Sequence, residues 1–185
     1  MQQVSFVLAA SACLCASACI EMPMMTASQP PLPQRLMASD PMDPAQEQML
    51  AAHNKYRSEV GVPPLSWSSE LASNAQIWAE YLATRAHRLQ HSGLAGTGEN
   101  VAVWTSGHKT PSQLIDLWAE EKELFTPGIF PHVSRTGKWE TIAHYSQIIW
   151  METAQVGCGF ANGDGNDYLV CLYSPQGNVF TEKVY

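Results

Sequence analysis

Ala143-His144-Tyr145-Ser146-Gln147-Ile148-Ile149-Trp150 places an imidazole, an amide and an aliphatic side chain (His144, Gln147 and Ile148) on one face of a helix. The spacing predicts a helix from about Glu140 to Trp150. His144 lies one turn from Gln147 and Ile148, so its ring is expected to point into the groove that they line.

Downstream of it, Gln155 to Ala161 and Asp167 to Tyr173 read as strands, joined by the turn Asn162-Gly163-Asp164-Gly165-Asn166. Asn100 to Trp104 is a further short apolar run. Three more helices precede the central one. The first opens on Asp43-Pro44 with Gln46 completing a capping box, carries Met49, His53, Tyr56 and Val60, and stops at Gly61. The second starts near Ser68 with Leu71, Ala75, Trp78 and Leu82 on one side. The third opens on Thr110-Pro111 with Gln113 at N3 and carries Leu114, Trp118, Glu121 and Phe125. That stripe puts the Glu121 carboxylate among apolar neighbours, where an unpaired charge is costly. Helices interspersed with a short antiparallel sheet give an α+β fold in layers.

The 185 residues allow one ordinary domain plus extra segments, and 45 % apolar content supports a core. The net charge of −7 and the absence of any Lys/Arg-rich run argue against nucleic acid and against adsorption to anionic lipid. Six Trp and six Tyr supply core packing or an aromatic-lined groove.

Val4 to Ala18 is apolar or small throughout, too short to span a bilayer and matched to a signal segment, so 1–18 is expected to be a signal peptide. Ala16-Ser17-Ala18 has the small-x-small form of a cleavage site, although Met1-Gln2-Gln3 carries no Lys or Arg. Cys19 follows, as in a bacterial lipobox whose cysteine is lipidated; Ala16 stands where a larger aliphatic residue is usual, so lipid anchoring through Cys19 and ordinary cleavage both stay open. Residues 19–44, with Pro23, Pro30, Pro31, Pro33, Pro41 and Pro44, form a linker, and 45–185 the folded domain. No transmembrane helix is expected. Only Cys158 and Cys171 fall in the folded part, nearly symmetric about Asp164-Gly165, which predicts a cross-strand disulfide.

Six motifs then occur in one order. They are His53-Asn54-Lys55-Tyr56-Arg57, Gly98-Glu99-Asn100-Val101, Trp118-x-x-Glu121-Lys122, the opening segment, Val156-Gly157-Cys158-Gly159, and Tyr168 to Asn178 with Cys171, Tyr173, Pro175 and Gly177. Singly each is weak. Together they resemble the CAP superfamily (cysteine-rich secretory, antigen 5 and pathogenesis-related-1 proteins). Ala143 stands where the family has Gly, Leu172 replaces a polar residue, and the extra disulfides of plant and animal members are missing, which suggests a bacterial-type member.

The resemblance implies a three-layer α-β-α sandwich with a central cleft. It implies a cleft tetrad of His91, Glu99, Glu121 and His144, with Gln147 and Asn100 as further binding residues, and a divalent cation, zinc favoured. Histidine and carboxylate suit zinc, but these four are scattered over the sequence and spacing alone would not nominate them. His87 is followed by Arg88, so no H-E-x-x-H site exists; His53 reads as structural, and His108 and His132 as solvated. Ser92 and Ser146 lie beside histidines, yet no G-x-S-x-G elbow is present and no Asp is placed to orient an imidazole, so a serine hydrolase is disfavoured.

For function, the resemblance implies an exported protein, secreted, periplasmic or at the cell surface, without an agreed enzymatic activity. A non-enzymatic module binding a sterol or fatty acid is the first expectation. A metal-dependent hydrolase with Glu99 or Glu121 as general base, and a surface interaction protein with a vestigial cleft, are the alternatives. A monomer is expected.

Overall fold

A computed structural model describes residues 41–185; the expected signal segment, Cys19 and the linker up to residue 40 lie outside them. The element order is α1 (Pro44–Val60), β1 (Ser66–Trp67), α2 (Ser69–Tyr81, running on into a wider π turn, Leu82–Ala86), β2 (Gly98–Thr105), α3 (Pro111–Glu120), α4 (Ala143–Ile148), β3 (Gln155–Gly163) and β4 (Asn166–Ser174). Among the described residues no helix is long and apolar enough to cross a membrane.

The helix starts form as their sequences dictate. Asp43 and Thr110 each accept from the N3 backbone N–H, of Gln46 and Gln113 respectively, while those glutamine side chains accept from the cap backbone. Gly61 ends α1 in the left-handed region, φ 74°, which glycine adopts without a Cβ penalty.

The sheet has the order β1-β3-β4-β2. β3 and β4 pair antiparallel about the Asp164-Gly165 turn, β2 pairs antiparallel with β4, and the two-residue β1 adds a parallel edge to β3. The sheet is therefore mixed, where the sequence led us to expect antiparallel pairing alone. β4 is buried from Asp167 to Tyr173 because both of its faces are covered. Tyr168, Val170 and Leu172 pack with Leu71, Ala75, Ala79 and Leu82 of the α2 layer. Leu169, Cys171 and Tyr173 face a larger core with Leu114, Trp118, Ile148 and Trp150. This is the expected three-layer α-β-α sandwich.

On the α2 side the layers meet backbone to backbone. A Cβ on Gly157 would stand 2.2 Å from the Ala72 nitrogen, and one on Gly159 2.2 Å from the Gln76 nitrogen. On the other side Cys158 and Cys171 stand opposite each other in register, Cα atoms 4.1 Å apart, joined as a disulfide.

The His53-Asn54-x-x-Arg57 motif of α1 ties this frame together. Asn54 both donates to and accepts from the Leu65 backbone, at 3.0 and 2.7 Å. Arg57, fully buried, spends its guanidinium on backbone carbonyls: Pro63 at 2.6 Å, Ile148 at 2.9 Å, Trp150 at 2.8 Å, Met151 at 3.4 Å and Thr153 at 2.9 Å. Burial pulls its pKa down to about 10, which leaves it charged at neutral pH. His53 is equally buried, held by the Met49 carbonyl and the Tyr173 hydroxyl, both at 2.8 Å, as its structural reading required.

Candidate functional site: two histidine–carboxylate pairs at the start of β2

α4 is shorter than expected. It has six residues, begins at Ala143, and Ile142 at its N-cap offers no side-chain bond. Its cap comes from another element. α3 stops at Glu120, and Glu121 turns into a 3₁₀ segment, φ −58° and ψ −16°. The Glu121 carboxylate then accepts the backbone N–H groups of His144 and Tyr145, each at 3.0 Å, and His144 Nδ1 at 2.6 Å. That partnership accounts for a carboxylate on an apolar helix side. Trp118, one turn earlier, stacks on the His144 ring, centroids 5.6 Å apart and planes 15° from parallel.

The second pair has the same design. Glu99, on β2, accepts His91 Nδ1 at 2.7 Å, the Ser92 backbone N–H at 2.9 and 3.1 Å, and the Ser92 hydroxyl. Its side chain is 8 % exposed, whereas that of His91 is 66 % exposed. Burial pushes the Glu99 carboxyl up, but the bonds from His91 and Ser92 outweigh it and hold it below the usual range. The hydrogen bond to Glu99 raises His91, against the smaller opposing pull of burial.

A carboxylate only accepts, so Nδ1 donates in both pairs and Nε2 carries the lone pair of each neutral ring. The pairs flank the first residues of β2. Glu99 shares a face with its cross-strand partner Leu172, on the α2 side; Asn100, facing the other way, donates to the His144 carbonyl at 3.1 Å and to the Tyr173 hydroxyl at 3.1 Å. The four tetrad residues do not bring three ligand atoms within 4.8 Å of one another; among the described residues only His53, Cys158 and Cys171 do so.

Asn100 and Gln147 are both 2 % exposed. Gln147 accepts from the Gly177 N–H at 2.9 Å and donates to Thr153 at 3.2 Å, and its oxygen occupies the space that a Cβ on Gly98 would need. They brace the site from within. Ser92 donates to Glu99 rather than to a histidine, and Ser146 is buried and donates to Asn178 at 2.6 Å, so neither hydroxyl is set up as a nucleophile. His108 and His132 are exposed.

Two features were not read from the sequence. Ser92 and Trp118 hold the pairs in place, and only the position of each one turn or one residue from a tetrad member hinted at it. A cleft of about 320 Å³ also opens between α2 and the segment before β2, lined by Asn74, Ile77, Trp78, Ser92, Leu94 and Leu172 among others. It adjoins a smaller one, about 230 Å³, that shares Gly93 and Leu94 and reaches His91 and Glu99.

The three-layer sandwich and the motifs that build its two histidine–carboxylate pairs, one of them beside a cleft, point to a protein of the pathogenesis-related-1 class. The chain belongs to the CAP family, described as the cysteine-rich secretory protein family, whose model matches residues 50–173. It is 34 % identical to pathogenesis-related protein 1C of Nicotiana tabacum over 143 residues, 76 % of this chain and 81 % of the relative. It is 28 % identical to venom allergen 5 of Vespa magnifica over 162 residues, 75 % and 70 % of the two chains. The fold is similar to that of BmVAL-1, with a TM-score of 0.65 at 26 % identity, covering 80 % of this chain and 85 % of the other.

Proposed function

We propose that the chain is an exported binding module rather than an enzyme, and that His91 and His144 hold a divalent cation, zinc favoured, beside a groove for a small apolar ligand. The observation that carries this reading is the shared geometry of the two pairs. In each, a carboxylate fixes Nδ1 and leaves Nε2 as the free ligand atom, which is how metal-binding histidines are commonly oriented. Glu99 and Glu121 then act behind the ligands and not as ligands, and water completes a weak, open coordination shell. β2 is an edge strand, so groups on its two sides can meet around the edge.

The same bonds weigh against the hydrolase reading. Glu121 accepts three N–H groups and Glu99 accepts His91 and Ser92, so neither carboxylate stands free as a base toward a metal-bound water. The apolar lining of the neighbouring cleft, Ile77, Trp78, Leu94 and Leu172, supports a sterol-like or fatty acyl ligand. Export, by signal cleavage or with a lipid on Cys19, rests on residues 1–19 and on the relatives' class. Native mass spectrometry of the protein from its host tests the reading: a retained cation or apolar molecule is expected on a chain lacking residues 1–18. A ligand-free, metal-free chain that retains Met1 would overturn it.

A further inference from the structure

We propose that reduction of the Cys158–Cys171 bond opens a second metal site, in which both thiolates and His53 bind one soft divalent cation such as zinc. These are the three donor groups that already lie within 4.8 Å of one another, and they come from three elements: α1, β3 and β4. The site is distinct from the His91 and His144 pairs and does not depend on the function proposed for them.

The imidazole is prepared for this role. Nδ1 faces the Met49 carbonyl at 2.8 Å and must donate to it, so Nε2 holds the lone pair and accepts from the Tyr173 hydroxyl at 2.8 Å. A cation taking Nε2 displaces that hydroxyl, which keeps its bond from Asn100 at 3.1 Å. Two thiolates and a neutral ring around a divalent ion sum to zero charge. That matters here, because His53 and Cys171 are fully buried and Cys158 nearly so. Sulfur and imidazole together favour zinc-like ions over hard cations. The β3–β4 pairing sets the two cysteines opposite each other in register, Cα atoms 4.1 Å apart, so that once reduced both sulfurs can turn toward one ion.

A route in exists. A cleft of about 290 Å³ between the start of α1 and α2, lined by Gln46, Ser69, Ala72, Ser73 and Gln76, reaches Cys158. A small dithiol attacks the Cys158 sulfur there and Cys171 leaves as thiolate. The second thiol of the reductant then releases Cys158 and closes its own disulfide. Two electrons and two protons pass to the protein pair, and the incoming ion displaces the two protons.

Cobalt(II) is the probe, because sulfur ligation gives it a charge-transfer absorption that histidine or carboxylate ligation does not. The full chain is used with Cys13→Ser, Cys15→Ser and Cys19→Ser, so that only the pair in the sheet can contribute sulfur. After reduction and removal of the dithiol, one cobalt per chain is expected with that band, and none on the oxidised protein. Cys158→Ser or Cys171→Ser abolishes the band. His53→Gln weakens binding by about tenfold or more, and Tyr173→Phe, which frees Nε2 without removing a ligand, tightens it. Three results would each overturn the proposal: a reduced protein with native circular dichroism and no band, a band that survives both cysteine substitutions, or a reduced protein that unfolds and takes up no cobalt.

Discussion

Glu121 and His144 are joined twice: the carboxylate accepts the His144 ring nitrogen Nδ1 at 2.6 Å through one oxygen and the His144 backbone N–H at 3.0 Å through the other. One side chain thus caps α4 and sets the tautomer of its histidine. Stability and site geometry are coupled there. Glu121→Ala leaves two helix N–H groups and the ring without an acceptor, and its expected cost is about 2 kcal/mol of unfolding free energy. Glu121→Gln, which retains one acceptor oxygen, should lose less. Urea denaturation of the two variants beside wild type measures the difference, and equal stability of all three would contradict the capping role.

Arg57 ties α1 to the chain around and after α4. Its charge is buried, has no carboxylate partner among the described residues and is solvated by five carbonyls, three of them from residues 150–153 just after α4. Arg57→Met should destabilise by about 3–5 kcal/mol, because it strands those carbonyls in the core. Arg57→Lys should do almost as badly, since an ammonium cannot fork across them. Thermal unfolding followed by circular dichroism checks both.

His53 sets an acid limit. Burial, partly offset by the bond to the Met49 carbonyl, pushes its pKa down to about 4. The unfolded chain takes up a proton below about 6.5 while the folded protein does not until about 4. Stability from this group is therefore complete above pH 6.5 and is lost as pH falls toward 4, by about 3 kcal/mol across that window. Unfolding free energies measured from pH 7.5 to 4 should fall accordingly, and His53→Gln should flatten the slope over the same range.

Gly159 tests the packing of α2 on the sheet. Its Cβ would sit 2.2 Å from the Gln76 nitrogen and 2.3 Å from the Gln76 Cα, both backbone, which cannot yield without moving the helix. Gly159→Ala should cost about 3 kcal/mol or more. Gly165→Ala meets nothing within 4 Å, but its φ of +73° is strained for any side chain, so a smaller loss of about 1 kcal/mol is expected there. Parallel denaturant titrations rank the two.

Much of this frame was legible in the sequence because it rests on local chemistry. The capping residues Asp43 and Thr110, the stop at Gly61, and the hairpin that brings Cys158 opposite Cys171 each follow from a few adjacent residues. What was not legible depends on partners distant in the chain. Ser66-Trp67 is too short to show a period, and it becomes a strand only because β3 lies beside it. α3 was expected to run to Phe125, yet it ends at Glu120, where Glu121 is drawn to the N–H groups of α4. For the same reason α4 begins at Ala143 and not at Glu140. The site depended most on resemblance: His91 and Glu99 are close in sequence, but nothing in the residues alone linked them to Glu121 and His144. The structure adds that they form two separate pairs, each carboxylate bonded to Nδ1 of its histidine.

The most direct test of the proposed cation site is a calorimetric zinc titration of the oxidised protein and of a His91→Ala/His144→Ala variant of equal thermal stability. Saturable heat at one zinc per chain for the wild type, absent from the variant, is the predicted result. Equal, featureless traces from both would contradict it and would leave the two pairs as a polar framework that holds β2, α3 and α4 together.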